Sequence, residues 1–312
     1  MKKITCLFII ALTVSCVCAQ TPNPIWNATI KVLDESAQPV VGANAEMSWD
    51  ILAPNNTVTF DKIGGLTDAN GIVQVSHKAN TSVDLGFQAS KTGYYSTTVG
   101  HELAAFRDSD PEKWSPHITL ILKKIGKPTA MYAKRVQKGP PVFNQPVGYD
   151  LMVGDWVSPN GKGVSTDILF TGNLFQKAKN DFDYKLTVSF PNVGDGIQEF
   201  TVPDGEKGSA LRSPHEAPVN GYQTNVVKAM SHHPGQGAKD DMDDPNRNYF
   251  FRVRTVLDHQ GNVVSAHYGK IYGDFMTFNY YLNPTPNDRN IEFDPKQNLL
   301  SGLDALEQVS QP

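Results

Sequence analysis

The chain has 312 residues, with 28 lysines and arginines against 32 aspartates and glutamates, and a formal net charge of −4 at pH 7. An acidic balance of this kind argues against nucleic acid and against an anionic membrane surface as partners. The length suffices for one large domain or two ordinary ones.

Residues 1–19 predict a secretory signal peptide. Two lysines precede an apolar run from Ile4 to Val14, and small residues ending at Ala19 fit cleavage before Gln20. The run is shorter than the roughly 20 residues of a membrane span, so we expect no transmembrane segment. A lipid anchor on Cys16 is the alternative, because the Ser-Cys pair resembles the end of a lipidation box. In both cases the chain is exported, to the periplasm, the cell surface or the medium.

All three cysteines lie in this leader (Cys6, Cys16 and Cys18). The exported chain therefore holds no disulfide, no thiolate nucleophile and no cysteine-ligated zinc. A sizeable apolar core has to keep it folded.

Short alternating strands dominate the first third of the chain. Ile30 and Val32 share one face of ATIKVLD, and Leu120 and Leu122 share one face of HITLILKK, as expected for strands of a β-sandwich.

The stretch GGLTDANGIVQV, residues 64–75, raises the question of whether Asp68 and Asn70 bind a ligand or only turn the chain. We predict a tight turn, because the Asp68 carboxylate can accept hydrogen bonds from the amides that follow it. Gly71 can adopt the left-handed conformation. A calcium ion needs about six oxygen ligands, which this loop alone cannot supply.

Three motifs occur in order in this part: Asp34 with Gln38–Ala45, then Thr67–Gly71, then Lys91–Tyr95. Together they make residues 28–123 resemble the carboxypeptidase regulatory-like family of transthyretin-like or immunoglobulin-like β-sandwiches, with two apparent insertions. The resemblance implies a non-catalytic module that supports folding, spacing or recognition in envelope and secreted proteins.

We accordingly predict an all-β protein with this sandwich at residues 20–125, a linker at 126–146, and a second β-sandwich or jelly-roll-like domain at 147–312. For the second domain we identify no family resemblance. In its strand NYFFRVRTVLD, alternation predicts that Tyr249, Phe251 and Val253 face inward and that Arg252 and Arg254 face solvent.

Residues 203–248 are dense in Gly, Pro, Asn and Asp, with TNVVKAM as the single plausible strand. A loop of this length in a compact domain is usually functional or mobile. We expect any binding region to lie there.

Motifs for catalysis or metal binding are incomplete. His101 and Glu102 begin a zinc-protease helix, but Ala105 stands where the second histidine is required. Gly161-Lys162-Gly163 lacks the spacing and the hydroxyl of a phosphate loop.

Four aspartates lie close together in Asp240–Asn248, after His232 and His233. A solvated acidic loop is the simpler interpretation, and a calcium site is the alternative.

Aromatic and acidic side chains supply the remaining candidates. Exposed rings could stack on sugars, but rings in alternating strands normally face the core; the rings are Trp26, Trp49, Trp114, Trp156, Tyr268, Tyr272 and Tyr281. Glycoside hydrolysis needs two carboxyl groups at a fixed separation; those available are Asp155, Asp167, Glu199 and Glu292. None is singled out, and we assign no catalytic, cofactor-binding or metal-binding residue.

The sequence therefore favours a non-catalytic exported or cell-envelope protein that binds a glycan or another envelope protein. The alternative is a secreted hydrolase whose site lies near residues 203–248, and a plain structural spacer is a third reading. No cofactor is expected apart from the calcium alternative.

Overall fold

The computed structural model describes residues 25–52, 57–78, 84–102, 115–242 and 247–312. All regular elements in these residues are strands, which confirms the all-β fold class. In chain order the strands are β1 (Ile25–Asp34), β2 (Asn44–Leu52), β3 (Val58–Leu66), β4 (Ile72–Lys78), β5 (Asp84–Ser90), β6 (Thr97–Glu102), β7 (His117–Leu122), β8 (Thr129–Val136), β9 (Pro146–Asp150), β10 (Asp155–Trp156), β11 (Ile168–Ala178), β12 (Asp181–Ser189), β13 (Gly196–Thr201), β14 (Asn225–His232), β15 (Lys239–Asp240), β16 (Arg247–Leu257), β17 (Val263–Gly273), β18 (Phe278–Leu282) and β19 (Phe293–Asn298). The described part of the chain contains no helix that could span a lipid bilayer.

The first seven strands form a sandwich of two sheets, in the orders β4-β1-β7 and β3-β2-β5-β6. Alternate residues of β1 and β7 supply its core, including Ile30, Val32 and Leu120, which meet Met47 and Phe87 of the facing sheet. Each such side chain contributes about 1.5–3 kcal/mol of hydrophobic stabilisation. The β-sandwich predicted for this part of the chain is therefore present.

The Asp68 loop is a turn. The Asp68 carboxylate accepts hydrogen bonds from the amides of Asn70 and Ile72 at 2.9 and 2.8 Å. Gly71 follows with a φ of +73°, and its carbonyl accepts a hydrogen bond of 2.7 Å from the amide of Val32. The same carboxylate arrangement recurs at Asp258, where Gly261 has a φ of +83°.

Gly71→Ala is expected to lower the free energy of unfolding by about 2 kcal/mol. A Cβ atom there would lie 2.4 Å from the carbonyl oxygen of Val32, in addition to the strain of a positive φ. Gly261→Ala is the matched control, because its Cβ would meet nothing within 4 Å, and we expect it to cost about 1 kcal/mol. Urea denaturation of both variants measures the difference, and equal costs would contradict it.

The remaining strands form a second sandwich. Its two six-stranded sheets run β10-β9-β11-β12-β14-β15 and β13-β16-β17-β18-β8-β19. Rings and aliphatic side chains from both sheets fill the space between them, among them Tyr149, Phe170, Leu186, Phe251 and Phe278. Tyr249, Phe251 and Val253 face inward as predicted.

Arg254 does not face solvent, contrary to prediction. A bulge in β16 between Val253 and Val256 breaks the alternation, and Arg254 takes a φ of +55°. Its guanidinium reaches the facing sheet, where it contacts Asp167 at 2.8 Å and Asp150 at 3.0 Å. The alternation pattern mispredicted the direction of Arg254 because a bulge inserts a residue, which moves the following side chains to the other side of the strand.

The sheet that contains β16, β17 and β18 is buried on both faces. Tyr272, Tyr281 and Phe293 are buried on its outer side, as are Phe250 and Tyr268. Residues 203–222, 283–292 and 299–309, which lie outside the strands of this sheet, cover this outer face. The second sandwich therefore has a third layer of irregular chain that the two-layer prediction lacked.

Two predicted segments have more structure than expected. The predicted linker, residues 126–146, contains β8, which pairs with both β18 and β19. The predicted long loop, residues 203–248, contains β14, at the position of the predicted strand, and the short β15. The domain boundaries at 125 and 146 stay predictions.

Candidate functional site

A groove of about 830 Å³ lies on the second sandwich, over β11, β12, β14 and β15. Side chains alternate along β12: Tyr184 and Leu186 point into the core, and Asp183 and Lys185 point outward into the groove. The groove includes residues 229–231 and 239–241. Part of the segment in which we expected a binding region therefore lines it.

Strand register arranges the groove residues in two rows. Asn173, Lys185 and Ala229 lie opposite one another across β11, β12 and β14. Phe175, Asp183, Ser231 and Lys239 form the next row, which extends to β15. Since Ala229 and Ser231 are small, the floor of the groove between the longer side chains is left open.

Phe175 supplies an apolar surface at this site. Its side chain is 60% exposed, an unusual position for a phenylalanine in a strand. The ammonium group of Lys177 lies 5.7 Å from the centre of the ring. The exposed part of the ring, apart from the side that Lys177 covers, is available for stacking at the edge of a surface rich in hydrogen-bonding groups.

The carboxylates of the groove already have partners within the chain. Asp183 contacts Nε2 of His233 at 3.2 Å, and Asp241 contacts the guanidinium of Arg247 at 2.9 Å. The Asp240 carboxylate accepts a hydrogen bond of 2.8 Å from the amide of Met242. Arg247 holds the pKa of Asp241 below its usual value through this hydrogen bond. Asp241 is therefore a poor candidate for a general acid.

Residues 203–217, which we call the strap, connect the two sandwiches. The amide of Thr98 in β6 donates to the carbonyl of Gly208 at 3.0 Å, and the amide of Ala210 donates to the carbonyl of Ser96 at 2.9 Å. The ammonium group of Lys123 contacts the carboxylate of Glu206 at 2.7 Å. The strap thus joins the edge of the first sandwich to the outer face of the second.

His215 bridges two carboxylates at the end of the strap. Its Nδ1 lies 2.6 Å from Glu292, and its Nε2 lies 3.1 Å from Glu35 in the turn after β1. The hydrogen bond to Glu292 raises the pKa of His215, against the opposing effect of burial. Burial favours a higher pKa for Glu292, but the hydrogen bonds from His215 and from the amides of Gly126 and Lys127 outweigh it and lower that pKa.

A serine and a lysine also meet beneath the strap. The ammonium group of Lys270 donates to Oγ of Ser213 at 3.1 Å, and burial holds the pKa of Lys270 well below its usual value. Such a pair is one known way to activate a serine nucleophile. Both side chains are completely buried, so the pair serves to attach the strap to β17 in this structure.

The aromatic candidates from the sequence are mostly core residues. Trp49, Tyr268, Tyr272 and Tyr281 are buried, and Trp156 is half-buried against Tyr149 and Phe170. Trp114 and the side chain of Trp26 lie outside the described residues. The exposed ring in the groove, Phe175, was not among the candidates.

Each of the four carboxylate candidates has its own set of partners. Asp155 accepts hydrogen bonds from the amides of Trp156 and Lys162, and Asp167 pairs with Arg254. Glu199 lies near Lys228 and Arg247, and Glu292 pairs with His215. Each one therefore stabilises its own local structure, and the structure does not bring them together in one cleft.

The histidines before the acidic stretch contact oxygen atoms of the chain. His232 contacts the carbonyl of Asn180 at 2.8 Å, and His233 contacts Asp181 at 2.8 Å. Among the described residues no group of three or more His, Cys, Asp or Glu side chains could hold a metal ion. Residues 243–246 of the acidic stretch, the side chains of His101 and Glu102, and the predicted signal peptide lie outside those residues. The calcium alternative stays a hypothesis.

A comparison with models of known protein families gives no match to this chain, and a comparison with curated proteins gives none either. Among solved structures the chain is similar to 3-chlorocatechol 1,2-dioxygenase from Rhodococcus opacus 1CP, with 14% identity and a TM-score of 0.24, over 34% of this chain and 62% of the dioxygenase.

It is also similar to the shaft pilin spaA from Lactobacillus rhamnosus GG, with 11% identity and a TM-score of 0.23, over 56% of this chain and 90% of the pilin. Likenesses this low carry no argument about function. The resemblance of residues 28–123 to the carboxypeptidase regulatory-like family stays a prediction.

Proposed function

We propose that the chain is an exported, non-catalytic binding module that holds a polysaccharide in the groove over β11, β12 and β14. The exposed ring of Phe175 beside that groove carries the proposal. An aromatic ring stacks on the C–H face of a sugar, and flanking amides and hydroxyls, here Asn173 and Ser231, bond to its hydroxyl groups.

Binding is favoured over hydrolysis by the state of the acidic groups. A glycosidase needs one carboxylic acid and one carboxylate facing the same bond. In the groove, Asp183, Asp240 and Asp241 are each engaged by another group of the chain. Export rests on the predicted signal peptide.

Phe175→Ala is expected to weaken polysaccharide binding at least tenfold, because the stacking surface is lost. Affinity electrophoresis against a panel of soluble polysaccharides identifies ligands, and calorimetry measures the change. Phe60→Ala is the matched control, since Phe60 is also a highly exposed ring, at 75% against 60% for Phe175, and lies on β3 of the other sandwich. It should leave binding unchanged.

Two outcomes would overturn the proposal. One is the absence of binding to every polysaccharide in the panel, which would turn attention to a protein partner. The other is an equal loss of affinity in the two phenylalanine variants, which would place the binding surface elsewhere.

A further inference from the structure

Two described lysines, Lys185 and Lys239, line the groove. Within the described part of the chain, neither makes an ion pair with a carboxylate, whereas Lys62, Lys123 and Lys134 all do. An unpaired ammonium group beside a concave surface attracts a ligand of opposite charge.

Two of the three carboxylates that line the groove, in contrast, have cationic partners within the chain. His233 and Arg247 contact Asp183 and Asp241, so these negative charges are countered from within the chain. The hydrogen bond to Asp181 raises the pKa of His233, which increases its positive charge near neutral pH. A ligand in the groove therefore meets two lysines that lack an ion pair and two aspartates that have cationic partners. The third aspartate, Asp240, accepts a hydrogen bond from the amide of Met242.

The two lysines stand on either side of β14. Lys185 lies on β12 opposite Ala229, and Lys239 lies on β15 opposite Ser231. Adjacent strands are about 4.8 Å apart, so β12 and β15 are separated by about 10 Å. The small side chains between them leave room for a chain of sugar rings, with an ammonium group on each side.

We propose that the ligand of this groove is an acidic polysaccharide, whose carboxylate or sulfate groups pair with Lys185 and Lys239 while a ring stacks on Phe175. The inference rests on the proposed function and names the ligand class. A lysine ammonium group acts as a point charge, so it accepts either anion, in contrast to the planar guanidinium of arginine.

Three polymers with one backbone test the inference: dextran, carboxymethyl-dextran and dextran sulfate, with polygalacturonate as a second carboxylate polymer. The full exported chain should bind at least one acidic polymer at least tenfold more tightly than dextran. The affinity should fall as salt is raised. Comparing the affinities for carboxymethyl-dextran and dextran sulfate shows whether carboxylate or sulfate is preferred.

The double variant Lys185→Gln and Lys239→Gln should lose about tenfold in affinity for the acidic polymer and nothing for a neutral one. The control is Lys62→Gln with Lys124→Gln, two exposed lysines of the first sandwich, which changes the net charge equally and should leave binding intact.

Equal losses in the two double variants would overturn the inference, because binding would then follow overall charge. The inference would also be overturned if a neutral polymer bound as tightly as the acidic ones and Phe175→Ala abolished that binding. The proposed function would then still stand. If no polymer of either kind binds, both the proposed function and the inference fall.

Discussion

Gly208→Ala should lower the free energy of unfolding by about 3 kcal/mol, because the strap leaves no space for a side chain where it meets β6. A Cβ atom on Gly208 would lie 1.6 Å from the carbonyl oxygen of Thr98 and 2.5 Å from its carbonyl carbon. The neighbouring hydrogen bonds from Thr98 to Gly208 and from Ala210 to Ser96 hold both backbones in place. The clash can therefore be relieved only if the strap moves away from the first sandwich.

Urea denaturation measures this loss, and limited proteolysis reports whether the strap becomes accessible. Gly100→Ala is the control on the same strand, because a Cβ there would meet nothing within 4 Å; we expect a change within about 0.5 kcal/mol. If the two variants are equally stable and equally resistant to protease, the strap does not dock on β6 as described.

The strands of this protein are predictable because their alternation is local. The inward positions of Tyr184 and Leu186 on β12, and of Phe278 and Tyr280 on β18, follow from every second residue being apolar. The Asp68 turn is equally local, since the carboxylate bonds to amides two and four residues ahead. These features need no knowledge of the rest of the chain.

The candidate site is different because it depends on distant partners. Phe175 and Lys239 share a row only because β12 and β14 pair between them. His215 meets Glu35 across 180 positions of sequence. The dense Gly and Pro content of residues 203–248 indicated the region, but composition does not distinguish a docked strap from a mobile loop.

Glu292→Gln is expected to lower the free energy of unfolding by about 3 kcal/mol at pH 6. The carboxylate is buried and accepts hydrogen bonds from His215 and from the amides of Gly126 and Lys127. A glutamine side chain keeps the shape but removes the charge, and it turns one acceptor into a donor. Of the two carboxylates that His215 contacts in the described residues, Glu35 then remains.

The contribution of this pair to the pH dependence of stability follows from their two pKa shifts. His215 has a raised pKa, so its contribution to stability is complete below its ordinary value of 6.5 and is lost as the pH rises through the raised value. Glu292 has a lowered pKa, so its contribution is complete above 4.5 and is lost as the pH falls through the lowered value. Both contributions are present between pH 4.5 and 6.5, and this pair should make the wild type more stable at pH 6 than at pH 8.5.

Urea denaturation at pH 6 and pH 8.5 measures both effects. In Glu292→Gln the difference between the two pH values should shrink, because the histidine loses the hydrogen bond that raises its pKa most. Glu35→Gln is the control: its carboxylate is about one-third exposed, so we expect a loss below about 1 kcal/mol and a pH dependence close to that of the wild type. A pH dependence that Glu292→Gln leaves unchanged would show that the hydrogen bond from Glu292 is not what raises the pKa of His215.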